Sequence, residues 1–330
     1  MDEFLIIRLS SLGDILHTLP AFSVLRKAFP ESKISWIVEK SGREILDLVP
    51  GIDEIIVRGD KGWLGRIRKR KRTSLDFQGL LKSAVIGRIS GARSRFGFSG
   101  KNLRESAAAW FYSKSLEEFP EDGHVIDKNI RLLSLVNLKP GGGRYEFPLA
   151  IPDAAREAVK KALAGLGWAP GRKIIVANVG AAWENKRWPR ERWIELLSMT
   201  DREGLFHILL WGNAAEREAA QAIGAATGIP AAPFFSIREV MALIAESALL
   251  ISGDTFALQA ACALDVPVVG IFGPTNPARN GPFRPRDKAA GIDLDCRPCY
   301  KRSCSTSECI NEISAAEVNA LIKNCLEPHA

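Results

Sequence analysis

Two strand-to-helix turns carry polar residues of the kinds that bind anions or move protons. Ser10-Ser11-Leu12-Gly13-Asp14 follows a short apolar run at the start of the chain, and its hydroxyls and backbone N–H groups could hold an anion. Asp14 is unexpected at such a turn, because a carboxylate repels phosphate. It suits two other roles, which stay open: an N-terminal cap of the following helix, or a general base that faces a ligand.

The second turn, Asp254-Thr255, lies inside a strand–helix–strand pattern. The apolar run 248–251 predicts a buried strand, residues 256–264 a helix of small residues, and the apolar run 266–272 the next parallel strand. Such units bind ligands at the carboxyl ends of their strands, where a helix N-terminus suits a phosphate. Any α/β protein contains them, so the spacing predicts a nucleotide-binding shape and does not identify the ligand.

The elements that would position these turns recur along the chain. Further apolar runs predict strands over 4–9, 33–39, 53–57, 74–77, 173–179 and 206–212. Helices are predicted over 15–29, 42–48, 79–90, 154–166, 214–224, 236–247 and 315–325. The Gly- and Pro-containing stretch 167–171 predicts a linker. This alternation predicts an α/β protein with two doubly wound, Rossmann-like domains facing a cleft.

The length and composition of the chain are typical of a two-domain globular protein. It has 330 residues, of which 46% are hydrophobic and 25% charged. No apolar run reaches the ~18 residues that cross a bilayer, and the acidic N-terminus runs directly into a strand, so we expect no signal peptide and a cytoplasmic location. A net charge of +7 indicates an anionic partner, namely nucleic acid, acidic lipid or an acidic sugar.

Basic residues are concentrated in the first half. One short run contains Arg66, Arg68, Lys69, Arg70, Lys71 and Arg72. A second set contains Arg93, Arg95, Lys101 and Arg104. Such a run is most often a solvated surface, but it could also bind phosphate or carboxylate groups, with Trp63 and Trp110 available for packing.

Four cysteines form a separate cluster near the C-terminus. Cys296, Cys299, Cys304 and Cys309 have the spacing C-x2-C-x4-C-x4-C, which matches a zinc knuckle with cysteine in place of histidine. A reducing compartment favours thiolates over disulfides. Two interpretations stay open: a structural zinc site, or free and partly paired thiols.

Several blocks of sequence resemble, in the same order, the lipopolysaccharide heptosyltransferases, which are GT-B glycosyltransferases that use ADP-heptose. The blocks are LIIRLSSLGDILHTLPA, DFQGLLKSA, NVGAAWENKRWPRERW, LLWG and GDTFALQAACALDVPVVGIFGPTNP, and they span residues 5 to about 277. The first two are most similar to heptosyltransferase I, which adds the first heptose to Kdo on lipid A. The resemblance implies a GT-B fold and one in-line displacement with inversion, without a catalytic metal or other required cofactor.

The resemblance also implies roles for individual residues. Asp14 matches the general base that takes the proton of the acceptor hydroxyl, Lys186 the lysine that neutralises the departing diphosphate, and Glu216 a ribose-binding carboxylate. The implied donor-binding residues are Ser10, Ser11, Gly13, Gly180, Glu216, Phe235, Asp254, Thr255, Phe256 and Gln259. The implied acceptor-binding cations are Arg66, Arg68, Lys69, Arg70, Lys82 and Arg104.

These roles divide the chain into domains. Residues 1–165 are expected to bind the acceptor and residues 166–312 the donor, while residues 313–330 are expected to form a helix that packs back on the first domain. The expected acceptor is Kdo–lipid A at the cytoplasmic face of the inner membrane, to which the protein would bind peripherally. No nucleic-acid partner is expected.

Some positions depart from the family pattern. Phe256 stands where the family has a glycine that lets the backbone approach phosphate, and Gln259 replaces a histidine. Ala181 and Ala182 replace two hydroxyl-bearing residues. The donor sugar and the acceptor therefore stay open, with a heptosyltransferase II-like enzyme as the first alternative.

Two more distant alternatives belong to other classes of protein. A doubly wound fold could serve a nucleotide-dependent oxidoreductase, but no strand here is followed by G-x-G-x-x-G. A nucleic-acid binder could use the cysteine cluster and the basic run, although a two-domain fold is more than such a module needs.

Overall fold

The computed structural model describes residues 3–68, 73–139, 144–200 and 203–326. Within these ranges the chain forms two compact α/β units, the first ending at Ala150 and the second beginning at Ile151. The described strands of each unit pair in parallel only. The predicted class, two doubly wound α/β units, is confirmed.

The sheet of the first unit has the strand order β3-β2-β1-β4-β5-β6 over its described residues. These strands are β1 (Glu3–Ile7), β2 (Lys33–Val38), β3 (Glu54–Val57), β4 (Thr73–Asp76), β5 (Ser94–Gly97) and β6 (Lys114–Ser115). The helices are α1 (Leu12–Ala28), α2 (Arg43–Leu46), α3 (Trp63–Arg68), α4 (Leu81–Ile89) and α5 (Val125–Arg131). The order reverses between β1 and β4, so the loops after these strands, residues 8–14 and 76–79, diverge there. We call these two loops the first switch point, the position at which doubly wound sheets bind ligands.

The second unit has the order β11-β10-β9-β7-β8 over its described residues. Its strands are β7 (Lys173–Asn178), β8 (Leu205–Leu210), β9 (Ser247–Gly253), β10 (Val268–Ile271) and β11 (Lys288–Ala290). Its helices are α6 (Asp153–Gly165), α7 (Arg190–Met199), α8 (Ala214–Thr227), α9 (Ile237–Ala245), α10 (Phe256–Ala263), α11 (Pro277–Asn280), α12 (Glu308–Asn311) and α13 (Ala315–Leu326). This order reverses between β7 and β9. The loops after them, residues 178–186 and 252–255, form the second switch point.

The central strands are apolar because helices cover both faces of a doubly wound sheet. Leu5, Ile6 and Ile7 of β1 are fully buried, and so are residues 249–251 of β9. A strand that is buried on both faces consists of a continuous run of apolar residues, so these strands could be predicted from the sequence. Shorter elements had no such signal: α3 forms within the basic run, and β5, β6 and β11 lie outside the predicted strands.

The boundary between the units lies earlier than the sequence predicted. We expected it after residue 165, but α6 packs on α9 and belongs to the second unit. Val159 and Leu163 on one side of α6 are fully buried, and Arg156 pairs with Glu246 at the end of α9. Apolar contacts and an ion pair therefore fix this helix to the unit that follows it.

The last helix, α13, is part of the core of the second unit. Its Val318, Ile322 and Cys325 belong to one buried apolar cluster with Ile271 of β10 and Ala290 of β11. The sequence predicted that the segment 313–330 packs back on the first domain. Its described part completes the core of the second unit, because its apolar stripe covers β10 and β11. Among the described residues, no helix combines the length and the apolar character needed to cross a membrane.

We predict that Gly97→Ala destabilises the first unit, because a methyl group there would collide with Tyr112. A Cβ atom at Gly97 would lie 2.2 Å from ring atoms of Tyr112, whose hydroxyl donates to Asp76. Displacing the ring should cost roughly 1–3 kcal/mol. Gly165→Ala at the end of α6 is the control, since its Cβ meets nothing within 4 Å. Urea unfolding of both variants tests the prediction, and equal free energies of unfolding would contradict it.

Candidate active site

The first switch point holds Asp14 in one position. Its Oδ2 accepts hydrogen bonds from the backbone N (3.1 Å) and the Oγ (2.8 Å) of Ser11, the N-cap residue of α1. Its Oδ1 lies 2.8 Å from Arg8 Nη2; the Arg8 side chain is 7% exposed and that of Asp14 38% exposed. The bond from Ser11 N is half of a capping box. Asp14 therefore stabilises the start of α1, while its side chain stays partly exposed to solvent.

The surroundings of Asp14 keep its carboxyl group ionised. Burial alone would raise its pKa, but the charges of Arg8 and His17 and the hydrogen bonds from Ser11 outweigh burial and lower the pKa below its ordinary value. The same charges weaken the carboxylate as a base, because they favour its unprotonated form.

The strand β4 ends at a second fixed carboxylate, that of the buried Asp76. Its Oδ1 accepts from Gln78 N (2.9 Å) and Gly79 N (3.1 Å), and its Oδ2 accepts from Ser83 Oγ (2.8 Å) and Tyr112 OH (2.8 Å). Burial nevertheless raises the pKa of Asp76, because these hydrogen bonds offset only part of the lost hydration. The four bonds fix the backbone of the turn 76–79.

Three contacts tie this turn to the loop after β1. The Oε1 atom of Gln78 accepts from Leu9 N (3.0 Å) and Ser10 N (3.2 Å). Arg8 Nη1 donates to the carbonyl oxygen of Phe77. The sequence predicted that Ser10, Ser11 and Gly13 bind the donor. The backbone N–H of Ser10 instead donates to Gln78 within the protein.

At the second switch point, Asn178 fixes the turn Asp254-Thr255. Its Nδ2 donates to Ser252 Oγ (3.0 Å), Thr255 Oγ1 (3.2 Å) and Gly180 O (3.2 Å). The hydroxyls of Ser252 and Thr255 are 2.9 Å apart, and Thr255 is the N-cap residue that immediately precedes α10. The hydroxyls and the helix N-terminus are thus held ready for an oxygen-rich ligand.

The structure brings Lys186 to this turn. Its Nζ lies 2.6 Å from Asp254 Oδ2, and the two side chains are 13% and 9% exposed. The same Nζ lies 4.3 Å from the ring centroid of Trp183. The guanidinium carbon of Arg302 lies 5.5 Å from that centroid. Within the described ranges Arg302 forms no ion pair. One buried ammonium and a second, unpaired cation therefore lie on the same aromatic ring, an arrangement suited to phosphate charge.

Glu216, near the start of α8, lies directly against Gly180. A Cβ atom at Gly180 would be 2.2 Å from the Glu216 carboxyl carbon, so a larger residue would displace this carboxylate. Its Oε2 accepts from Gly212 N (2.7 Å), and its backbone N donates to Asn213 Oδ1 (3.1 Å). The predicted ribose-binding carboxylate is therefore positioned at the loop that follows β7.

Three other predicted donor-binding residues differ in their surroundings. Phe256 is the half-buried first residue of α10. Gln259 is 4% exposed, and its Nε2 donates to Asn280 O (2.6 Å). We expected this side-chain amide to face the ligand, but it forms a hydrogen bond within the protein. Phe235 is 8% exposed, whereas Phe234 beside it is 70% exposed. Phe235 thus lies in the interior of the protein, and Phe234 is exposed to solvent.

Three of the six predicted acceptor cations have partners within the first unit. The contacts are Arg66 Nε to Glu54 Oε1 (3.0 Å), Arg68 Nε to Ile89 O (3.1 Å) and Lys82 Nζ to Glu39 Oε1 (3.7 Å). Arg104 is exposed, and its side chain forms no ion pair or hydrogen bond with the described residues. Lys69 and Arg70 lie outside the described residues.

The four clustered cysteines are not arranged as a metal site. In the part of the chain that the structure describes, no group of three or more His, Cys, Asp or Glu side chains is placed to hold a metal ion, and all six cysteines are free. Their loop has another visible role. Asn185 Nδ2 donates to Lys301 O (2.6 Å), and Arg302 packs on Trp183, so the loop supports the segment that carries Lys186.

Arg8, Gln78 and Arg302, which hold the predicted site residues in place, were not predicted from the sequence. Arg8 gave one usable signal, since a lone cation in the apolar run LIIRL indicates a buried partner. Gln78 and Arg302 gave none. Gln78, for example, bonds to a residue 69 positions away, and local patterns carry no information on such a pair.

Comparison with solved structures identifies the fold. The chain matches E. coli heptosyltransferase WaaC with ADP at a TM-score of 0.79 and 22% identity, covering 98% of this chain and 99% of that chain. The glycosyltransferase family 9 structure from Veillonella parvula matches at a TM-score of 0.84 and 21% identity, covering 99% and 98%. The two Rossmann-like units therefore have the GT-B fold of glycosyltransferases.

Comparison of sequences identifies the family. The model of glycosyltransferase family 9 (heptosyltransferase) matches residues 67–310. Lipopolysaccharide heptosyltransferase 1 of Pseudomonas aeruginosa is 29% identical over 321 residues, which cover 91% of this chain and 87% of that protein. The chain belongs to glycosyltransferase family 9, and it is a glycosyltransferase. This assignment decides against the oxidoreductase and nucleic-acid-binding alternatives.

We predict that Arg8→Gln raises the pKa of Asp14, because the variant loses the guanidinium charge while the carboxyl group keeps its position in the fold. The measurement is a ¹³C NMR titration of the Asp14 carboxyl carbon. Arg26→Gln is the control: it removes an arginine of the same unit that pairs with Asp53 at 2.5 Å, and it should leave the pKa of Asp14 unchanged. An unchanged Asp14 pKa in Arg8→Gln would show that the Arg8 charge does not lower this pKa.

Arg8→Gln should also change how the free energy of unfolding depends on pH. The folded-state pKa of Asp14 lies below its unfolded value, so the ion pair stabilises the fold above the unfolded pKa and loses this effect as the pH falls through the folded pKa. The part of the stability difference that comes from the ion pair should therefore be complete at pH 7 and shrink below about pH 4.

Proposed function

We propose that this protein is an inverting heptosyltransferase that moves heptose from ADP-heptose to the Kdo region of the lipopolysaccharide inner core. One observation carries the proposal: Asp14 and Lys186, whose chemistry such a reaction needs, each lie at the switch point of their own sheet in a family 9 chain. The similarity to lipopolysaccharide heptosyltransferase 1 supports this choice of donor and acceptor. The proposed reaction uses no metal or organic cofactor.

In this reaction Asp14 takes the proton of the acceptor hydroxyl. A hydroxyl is a poor nucleophile near neutral pH, so a base has to receive its proton while the new C–O bond forms. Asp14 is ionised and partly exposed to solvent, and Arg8 and Ser11 fix its orientation before a substrate binds. A base positioned in advance lowers the entropic part of the barrier.

Lys186 stabilises the leaving group. The acceptor oxygen attacks the anomeric carbon from the face opposite ADP, the bond from that carbon to the β-phosphate oxygen breaks, and its electron pair stays on ADP. The negative charge of the diphosphate grows in this step, so a fixed ammonium beside it stabilises the transition state. Asp254 and Trp183 hold the ammonium in place. Nζ donates to Asp254 Oδ2 (2.6 Å) and Asp254 O (3.4 Å), so one of its three N–H donors remains for a phosphate oxygen. Arg302 adds a second positive charge on the same ring.

We assign the nucleotide to the loops of the second switch point. Thr255 and the N-terminus of α10 offer a hydroxyl and backbone N–H groups to the diphosphate. The Glu216 carboxylate, held against Gly180 by Gly212 N, can accept hydrogen bonds from ribose hydroxyls.

We assign the acceptor, and contact with the inner membrane at its cytoplasmic face, to the first unit. Arg104 offers an exposed guanidinium that no described residue neutralises, and Trp110 nearby in the sequence is 86% exposed. A cation and an exposed indole suit the acidic headgroups of a membrane surface or an acidic sugar. Binding through such groups should weaken as ionic strength rises.

A second candidate is a heptosyltransferase II-like enzyme, or a relative that uses another nucleotide sugar. Ala181, Ala182 and Phe256 support it, because they remove two hydroxyls and a glycine from the segments next to Lys186 and Thr255. Assays that pair ADP-heptose with Kdo₂–lipid A or with its heptosylated form decide between the two acceptors. Transfer only to the heptosylated form would favour this candidate, and transfer only from a UDP-sugar would reject ADP-heptose as the donor.

We predict that Asp14→Asn lowers turnover roughly 10²–10⁴-fold, because an amide cannot take up the acceptor proton. Its affinity for ADP should stay at the wild-type value, since the nucleotide is assigned to the other unit. Its melting temperature should fall, because Arg8 is left 7% exposed without its carboxylate. The measurements are steady-state kinetics with ADP-heptose and Kdo₂–lipid A, ADP titration and thermal melting.

Arg8→Gln is the matched control for this variant. It breaks the same ion pair but keeps the carboxylate, so it should lose stability and retain far more turnover than Asp14→Asn. If the two variants lose turnover equally, the ion pair and not the base explains the loss. If Asp14→Asn turns over normally, Asp14 acts only as a helix cap.

We predict that Lys186→Ala lowers both ADP affinity and turnover, the latter roughly 10²–10³-fold, because the lysine binds charge that is present in the substrate and grows in the transition state. Lys173→Ala is the control, an exposed lysine at the start of β7 in the same unit, and it should behave as wild type. Equilibrium binding of ADP and steady-state kinetics measure the two effects. Native ADP affinity in Lys186→Ala would reject the diphosphate role.

A further inference from the structure

The side-chain amide of Gln78 has only one chemically acceptable orientation. One end lies 3.0 Å from Leu9 N and 3.2 Å from Ser10 N, and both of these are backbone N–H donors. Only the oxygen of an amide can accept from them, so this end is Oε1 and the other end is the NH₂ group. The usual ambiguity between the two ends of a glutamine does not arise here.

The backbone of Gln78 is fixed as well. Its N donates to Asp76 Oδ1 (2.9 Å), and Asp76 is 2% exposed and anchored by three further donors. The preceding residue, Phe77, donates from its N to Ile7 O of β1 (3.1 Å) and accepts from the buried Arg8. Neither the backbone nor the amide oxygen of Gln78 can therefore move without breaking buried hydrogen bonds.

These bonds leave one functional group of Gln78 without a partner. No described residue accepts a hydrogen bond from its Nε2, although the side chain is half-buried at the first switch point. Asp14 belongs to the loop whose N–H groups the same amide holds. A fixed group with two N–H donors, at the same switch point as the partly exposed Asp14 carboxylate, matches a ligand atom that accepts hydrogen bonds.

We propose that Gln78 binds the acceptor, with Nε2 donating a hydrogen bond to an oxygen of an acidic sugar next to the hydroxyl that reacts. The inference rests on the proposed function and adds a residue that selects the acceptor. A carboxylate is the best match, because it only accepts hydrogen bonds and its charge strengthens the one from an N–H donor. Both lone pairs of Oε1 are engaged with the backbone, so this amide cannot serve a ligand donor instead.

The test is Gln78→Glu, which separates the two roles of the residue. Glutamate has the same length and keeps an oxygen for Leu9 N and Ser10 N, so the loop should hold and the melting temperature should stay near the wild-type value. The NH₂ group becomes a carboxylate oxygen that repels an acidic acceptor. At pH 8, we expect the KM for Kdo₂–lipid A to rise roughly ten- to a hundredfold, with the KM for ADP-heptose and the affinity for ADP unchanged.

Gln78→Met is the companion variant. It loses the oxygen as well as the donor, so it should show a raised acceptor KM together with a lower melting temperature, because Leu9 N and Ser10 N lose their acceptor. A purely structural role predicts a different pair of results: a normal acceptor KM in Gln78→Glu and a raised one in Gln78→Met. That pair, with a native melting temperature for Gln78→Glu, would overturn the inference.

A binding experiment keeps the inference separate from the proposed function. If the wild-type protein transfers no heptose to Kdo₂–lipid A, the proposed function fails. Titration of wild type and Gln78→Glu with a soluble Kdo disaccharide, followed by NMR, then decides about Gln78 alone. Weaker binding by Gln78→Glu supports the inference, and equal binding, or no binding by either protein, overturns it.

Discussion

The first unit depends on the hydrogen bonds that join the loop after β1 to the loop after β4. Neighbouring parallel strands pair along their length, but at a switch point their connections leave in opposite directions, so the sheet itself does not hold the two loops together. Gln78 provides the link by accepting from two N–H groups of the β1 loop, and Arg8 provides a second one by donating to Phe77 O. The position of Asp14 is consequently set by residues more than sixty positions away in the sequence.

Each switch point fixes a charged group by pairing it with an opposite charge. In the first unit a buried guanidinium holds the Asp14 carboxylate, and in the second a largely buried carboxylate holds the Lys186 ammonium. Buried ion pairs are expensive to dehydrate, so their contribution to stability is small or even unfavourable. Their benefit is positional: a charge restricted to one place needs little reorganisation when the charge of a substrate changes beside it.

The environment of Asp14 also limits how strong a base it can be. Arg8, His17 and Ser11 lower its pKa, so the carboxylate is in its working state at neutral pH but has a reduced affinity for the proton. A weak base gives a small driving force for proton transfer. In the proposed reaction, more of the stabilisation then has to come from the leaving-group side, where Lys186 and Arg302 share the Trp183 ring.

The sequence by itself determined the α/β class, the core strands and the polar turns, because these follow from local patterns: a strand covered on both faces is a continuous apolar run, and Asp14 and Asp254 stand where such runs end. The resemblance carried by those turns also indicated the family that the comparisons identify. Tertiary structure alone decided which side chains meet. It assigned α6 to the second unit, packed Phe235 into the interior, and joined Lys186 to Asp254 across 68 positions. The physical reason is that such pairs depend on strand order, which places the ends of β7 and β9 side by side, and no local periodicity records strand order.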